Sequence, residues 1–296
     1  MFGALQTNWL CNLVYRPGNA YYDKLTQFTG PVIGVRSDVH SMIDLALSNQ
    51  VRIVLMPITS AEPDLFALRT EWDRATAGGI LVVVPHNRSS STSRQPAARR
   101  LSPPRLYSAI TVGAGTTSNL LSFGPGLEFF DAPRPDDSPI LRPAQQDAAA
   151  VIAAKLSRIL DLNPSYNIWD ARQHLRQSAS AYSSGWTEDG GYGRPPGNPS
   201  PLQELDLAPP LDLQAMRSPD GSSVTFSWLN FRQSRFDETV ITCGAEVIYH
   251  GTNTTFTWRC DRKGDADFHF YSVDHRGQRS REESYTKLHV TGLTAS

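Results

Sequence analysis

Cysteine is scarce in this chain: 296 residues carry only Cys11, Cys243 and Cys260, too few for a disulfide framework. Cys243 and Cys260 can pair only if neighbouring strands bring them together; buried free thiols are the favoured reading. No Cys-x-x-Cys or histidine-rich spacing offers a metal site, so no metal and no cofactor is expected. No apolar run is long enough to span a membrane. Neither sign of charge dominates, with 28 Lys and Arg against 29 Asp and Glu and a net charge of −1. No global field therefore draws the chain to nucleic acid or to an anionic membrane. The Gly-Lys-Ser/Thr phosphate loop, the Gly-x-Ser-x-Gly elbow and the Gly-x-Gly-x-x-Gly turn are all missing. Met1 to Tyr15 lacks the basic start and unbroken apolar core of a signal peptide. The expectation is a product made in the cytoplasm without a secretory leader.

What is present is an ordinary globular composition, 40 % hydrophobic, at a length that fits two domains. Residues 1–30 read as an irregular, aromatic-rich N-terminal arm with a turn at Arg16-Pro17-Gly18-Asn19. Val32 to Val35 reads as a short buried strand. Ser41 to Asn49 has apolar residues at helical spacing. Val51 to Met56 reads as a strand, Ala61 to Ala77 as an amphipathic helix stopped by Gly78-Gly79, and Ile80 to Val84 as a strand buried on both faces of a parallel sheet. This alternation predicts a βαβ arrangement. Residues 88–106 form a Ser/Arg/Pro-rich loop that includes Arg99 and Arg100. Two further helices are expected, one from Pro143 to Leu160 and one from Ile168 to Ser178. Residues 194–210 read as a semi-rigid, proline-rich linker. Beyond it the period changes to two, in Ser223 to Trp228, Thr255 to Trp258 and Phe268 to Val273, which predicts a β-sandwich over residues 211–292.

Several blocks together resemble subtilisin-like serine proteases. Ala109 to Ala114 with Ser122-Phe123-Gly124-Pro125 through Pro133 is similar to the strand pair after that family's oxyanion loop. Pro143 to Ile152 resembles the helix that follows its nucleophile, Asn163 to Ala179 its next helix, and Gly190-Gly191-Tyr192-Gly193 its closing turn. Val32 to Asn87 is similar to the middle of the domain. The resemblance implies an α/β three-layer sandwich with a mostly parallel sheet over residues 31–193, truncated at its N-terminal side. The stretch from Pro209-Pro210 through Val247-Ile248-Tyr249 to Tyr271-Ser272-Val273-Asp274 and Gly277 resembles a fibronectin type III domain, an immunoglobulin-like all-β sandwich.

That protease family requires Asp, His and Ser in this chain order, with an oxyanion donor. Counting back from Pro143, the nucleophile position falls on Pro139, and the neighbouring Ser138 follows Asp137 instead of Gly-Thr. No histidine lies in the first thirty residues. His40 and His86 come at the wrong blocks, and Asp38 lacks the glycine of the family's Asp turn. Asn87 matches the oxyanion asparagine but has no partners. Asn87, Ser138 and Pro139 are therefore read as vestigial positions of a pseudo-protease scaffold, not an enzyme.

The favoured function is a non-catalytic structural protein, a building block of a larger assembly such as a bacteriophage tail or baseplate, and hence located in the virion. Its partners would be other protein subunits, with no nucleic acid and no membrane insertion. Trp9, Tyr15, Tyr21 and Tyr22 lack a periodic home in the arm and, with Arg99 and Arg100, are the expected partner contacts. A receptor- or glycan-binding adhesion module is the alternative. A serine hydrolase with a rearranged site, Ser138 with His40 or His86, is the second alternative. A parallel sheet without its usual first strands would expose an edge, which residues 1–30 or another subunit are expected to cover.

Overall fold

A computed structural model describes residues 8–14, 22–28, 32–56, 68–85, 106–116, 119–120, 126–131, 144–187 and 190–295. Residues 1–30 contain an antiparallel hairpin where an irregular arm was expected. Its strands are β1 (Asn8–Val14) and β2 (Tyr22–Phe28), paired from Asn8 with Phe28 to Val14 with Tyr22. The Arg16–Asn19 turn signal falls between them.

The first helix, α1 (Val32–Ser48), replaces the expected strand at Val32–Val35. A four-residue apolar run does not distinguish strand from buried helix by periodicity. Here it is absorbed into the helical pattern that Val39, Ile43 and Ala46 continue on one buried face. The sheet therefore begins at β3 (Ile53–Leu55). After α2 (Arg69–Ala77) come β4 (Leu81–Pro85), β5 (Ile110–Thr116), the short β6 (Asn119–Leu120) and β7 (Phe129–Asp131). Strands β3, β4, β5 and β7 lie parallel in that order, and β6 turns back antiparallel on β5. β1 runs alongside β3, the outer strand, without entering its hydrogen-bond ladder.

The sheet is apolar on both faces, and its period-two alternation divides it between two cores. Val54, Met56, Val82 and Val84 pack with Val39, Ile43 and Trp72 of α1 and α2. Ile53, Leu55, Leu81, Val83, Ile110 and Val112 pack under α3 (Ala144–Leu162) and α4 (Ile168–Gln177). The result is a three-layer α/β sandwich around a mostly parallel sheet. Helix α4 begins at Ile168, as the sequence predicts. Asn163, of the Asn-Pro step before it, closes α3, its side-chain amide donating to the Ile159 carbonyl at 2.8 Å. Asn167 is the N-cap: its Oδ1 accepts from the Trp169 and Asp170 amides at 2.8 and 2.9 Å. Asp170 completes the reciprocal capping box by accepting from the Asn167 amide at 3.1 Å.

Seven strands form the C-terminal sandwich: β8 (Leu211–Arg217), β9 (Ser223–Leu229), β10 (Phe236–Cys243), β11 (Glu246–Gly251), β12 (Thr255–Arg259), β13 (Gly264–Asp274) and β14 (Lys287–Leu293). One sheet has the order β12-β9-β8 and the other β11-β10-β13-β14, with every pairing antiparallel. Phe226, Trp228, Trp258, Phe268 and Phe270 interdigitate between them, with Phe226 and Phe268 ring centroids 4.7 Å apart. Cys243 and Cys260 are both buried and are not bonded to each other.

Residues 194–210, expected as a semi-rigid linker, are fastened along α4. His174 Nε2 donates to the Ser200 carbonyl at 2.9 Å, and Gln177 bonds the Glu204 carbonyl and the Asp206 amide at 3.1 and 2.9 Å. Leu205, Leu207 and Ala208 are buried. Composition marks where a chain lacks regular structure, not whether it packs. The core under α3 and α4 also takes in Leu211, Phe231 and Tyr285 from the sandwich, so one apolar interior crosses the domain boundary.

Candidate functional site

Parallel α/β folds place their chemistry beyond the carboxyl ends of the strands. Asn87, Ser138 and Pro139 lie outside the described residues, as do His86, Tyr15, Tyr21, Arg99 and Arg100. Trp9 falls on β1 and Tyr22 on β2, where the backbone alone is described.

His40 is the one histidine of the rearranged-hydrolase reading whose side chain is described. It sits on α1 and faces α2. Its Nδ1 lies 3.0 Å from Glu71 Oε1, and its Nε2 lies 3.5 Å from Asp44 Oδ2. Both ring nitrogens thus face carboxylates. Arg74 closes the cluster: Nε donates to Glu71 at 3.0 Å, Nη2 donates to the His40 carbonyl at 2.9 Å, and Nη1 reaches Asp44. Burial pushes the Glu71 carboxyl up, but hydrogen bonds from His40 and Arg74 outweigh it and hold the group below its ordinary range. A charged clasp between two helices is what these four side chains make.

A fully buried polar centre lies elsewhere, at the junction of the two domains. Glu128, just before β7, and Arg172 and Arg176 of α4 are all fully buried. Glu128 Oε1 accepts from Arg172 Nε at 2.9 Å and from Arg176 Nε at 2.7 Å. Its Oε2 accepts from Arg172 Nη2 at 2.6 Å. Arg172 is completed by the Ser108 and Tyr107 carbonyls at 2.8 and 2.7 Å. Burial pushes the Glu128 carboxyl up, yet attraction by the two guanidiniums prevails and keeps it below the usual range. The Arg176 guanidinium lies over the rings of Phe231 and Tyr192, at 4.7 and 5.1 Å from their centroids, a cation–π arrangement favoured by desolvation.

The closing turn positions Tyr192. Gly191 has φ +58°, and a Cβ there would run into the Glu128 carbonyl, so only glycine fits. The Tyr192 amide then donates to that carbonyl at 2.8 Å. Tyr192 and Tyr285 share a hydroxyl–hydroxyl bond of 2.9 Å across the domain boundary. Glu283 accepts from the Trp186 amide at 3.0 Å and pairs with Arg281 at 2.9 Å. A second buried ion pair, Lys155 Nζ to Asp131 Oδ2 at 2.5 Å, sits at the end of β7, and Lys155 also donates to the Pro195 carbonyl at 2.8 Å. Buried side chains of this kind hold backbone and domains in place.

Sequence reasoning missed both centres. The one signal available was Arg172 and Arg176, four apart on a helix and thus on one face, in a stretch otherwise apolar on that side. Charge at that spacing ordinarily marks a solvated face, and the partners Glu128 and Phe231 lie 40 or more residues away in sequence, with Tyr192 beyond the end of the helix. Among the described residues, no group of three His, Cys, Asp or Glu side chains is placed to hold a metal. Among the described residues, no helix is long and apolar enough to cross a membrane.

On the outer face of the four-stranded sheet, His269 and Tyr271 stand side by side with nearly parallel rings, 9° apart in plane and 6.5 Å between centroids. Glu282 accepts from the Tyr271 hydroxyl at 3.0 Å, lies 3.1 Å from His269 Nδ1 and pairs with Lys287.

No protein-family model matches the chain, and no curated protein matches it either. Solved structures similar to parts of it include subtilisin-like proteases and fibronectin III modules. Fervidolysin from Fervidobacterium pennivorans, a keratinolytic enzyme related to subtilisin, is 13 % identical over 87 % of this chain and 44 % of that one, with a TM-score of 0.44. The S41 psychrophilic protease is 14 % identical over 56 % of this chain and 64 % of that one, at 0.42. The central fibronectin-III array of RIM-binding protein is 16 % identical over 30 % and 34 %, at 0.26.

Proposed function

We propose that the chain is a non-catalytic structural component of a larger protein assembly, built on a subtilisin-like α/β scaffold with a fibronectin III-like sandwich fixed to it. The observation that carries this reading is the shared interior of the two domains, which joins them into one block through Phe231, Tyr285 and the Glu128 centre. A rigid block transmits position and load between neighbours, as a building unit requires. The sequence adds a nucleophile position occupied by proline and the lack of the family's Asp and His blocks. A bacteriophage tail or baseplate is the kind of assembly that suits such a unit, with other protein subunits as partners and the virion as its location.

Two measurements test it. A fluorophosphonate probe that labels reactive serines should leave the protein unmodified, and sedimentation should show a defined oligomer. Stoichiometric labelling of Ser138 would overturn the non-catalytic reading. A strictly monomeric protein that joins no complex in its source would overturn the assembly reading.

The glycan-binding alternative draws support from the flat His269–Tyr271 pair with Glu282 beside it, since aromatic faces and carboxylates together recognise sugar rings. Retention on a polysaccharide column, lost in Tyr271→Ala, would favour that reading.

A further inference from the structure

The domain-junction centre is short of one negative charge. It buries two guanidiniums, Arg172 and Arg176, against one carboxylate, Glu128, and all three are 0 % exposed. The neighbouring Glu283 is already paired with Arg281 at 2.9 Å, and no hydrogen bond joins it to either guanidinium of the centre. The two tyrosines do not supply it either. Burial foremost pushes the Tyr192 and Tyr285 hydroxyls above their ordinary value, so both remain neutral near pH 7.

The hydrogen-bond count shows the same shortage. Arg172 uses Nε, Nη1 and Nη2 on protein acceptors. Arg176 uses only Nε, and its buried Nη1 and Nη2 have no protein acceptor. A guanidinium carries five N–H donors, so four remain on those two nitrogens. Rings of Phe231 and Tyr192 lie over the guanidinium and satisfy none of its in-plane donors. The Tyr192–Tyr285 pair holds two hydroxyl protons but shares a single bond between them, which leaves one O–H to donate elsewhere. The attraction of Arg176 is felt at both hydroxyls. Donors without acceptors and a surplus positive charge therefore meet in one buried place. Leaving a buried charge uncompensated is strongly unfavourable.

We propose that Arg176 Nη1 and Nη2, with the Tyr192–Tyr285 hydroxyl pair, form a buried site for one small monatomic anion of the halide class, chloride under physiological conditions. A halide accepts from several donors without direction and carries one negative charge, which matches what the centre lacks. The anion would bind only with α4, the closing turn and the sandwich in place, since each contributes a donor or a wall. It would thus tie domain docking to halide concentration.

The test uses the full chain. Crystals soaked in sodium bromide should give an anomalous peak against Arg176 Nη1 and Nη2. Thermal unfolding should rise by at least about 2 °C when chloride replaces isethionate at constant ionic strength, the shift of a ligand that binds the folded state alone. Tyr285→Phe removes a hydroxyl while keeping the ring. It should weaken the halide dependence about tenfold or more, as expected for one hydrogen bond to a charge. Arg176→Met should abolish it. A wild-type Tm identical in the two salts, or a soaked crystal with no anomalous peak at Arg176, would overturn the proposal, leaving water or a dry cation–π stack as the occupant. Both wild-type readouts stand even if Arg176→Met fails to fold.

Discussion

Glu128 holds both arginines of the junction, so its loss leaves two buried cations facing each other. Glu128→Gln should lower stability by about 3–5 kcal/mol, the usual consequence of removing one partner of a buried pair, as read by urea unfolding. Its pH dependence has a defined sign. The folded carboxyl lies below its ordinary range because the guanidiniums outweigh burial. The unfolded chain therefore takes up this proton first as pH falls, and the stabilisation present above the ordinary glutamate range is lost progressively in acid. His174 adds to acid sensitivity by another route. It is buried, with Nε2 bound to the Ser200 carbonyl at 2.9 Å and Nδ1 without a protein partner. Burial pushes it below its ordinary value, against a smaller opposite pull from Ser200. The neutral form is the one that fits, so stability should fall as pH drops below about 6.5, where the unfolded histidine begins to charge. His174→Gln should flatten the stability profile between about pH 7 and pH 5 relative to wild type; an unchanged slope would assign that sensitivity to other groups.

At the scale of elements, α4 is the piece on which most depends. Its capping box at Asn167 and Asp170 does two things, because Asp170 Oδ1 also accepts from the Ser234 amide and hydroxyl at 3.1 Å each. The cap thus stitches the helix start to the sandwich. Asn167→Ala should destabilise by about 1 kcal/mol, the ordinary value of an N-cap. Asp170→Ala should cost more, since it removes the reciprocal cap and the inter-domain bonds together; equal losses in urea unfolding would show that the Ser234 bonds contribute little. The elements also show how far the sequence could be read. Ile80 to Val84 was legible as a doubly buried strand, because an unbroken apolar run leaves no polar face. Val32 to Val35 was not, because four apolar residues satisfy helix and strand alike until neighbours choose. The hairpin of residues 8–28 was missed for a related reason: its turn was visible, but its strands carry a mixed pattern.

For the whole molecule, the continuous interior predicts cooperative behaviour. Phe231 packs on Trp169 with centroids 4.8 Å apart and lies under both guanidiniums. Phe231→Ala should cost about 3–5 kcal/mol as a large core deletion and should lower the stability of both domains at once. Calorimetry of the wild type should show one transition. Two separated transitions would mean that the junction contributes little to either domain.

Period-two and period-3.6 patterning in the sequence already determined the order of α/β and all-β parts. Alternation decides which face of a strand or helix is apolar, and layers must bury those faces. Sequence also determined the absence of the usual phosphate, nucleotide and Gly-x-Ser-x-Gly motifs, since those chemistries need particular residues at short spacing. Only the tertiary structure decided that the proline-rich stretch is a strap and not a hinge. It alone brought Glu128, Arg172, Arg176, Tyr192, Phe231 and Tyr285 to one point. Their separations along the chain exceed any local period, and a buried charge is tolerated only where distant partners meet it.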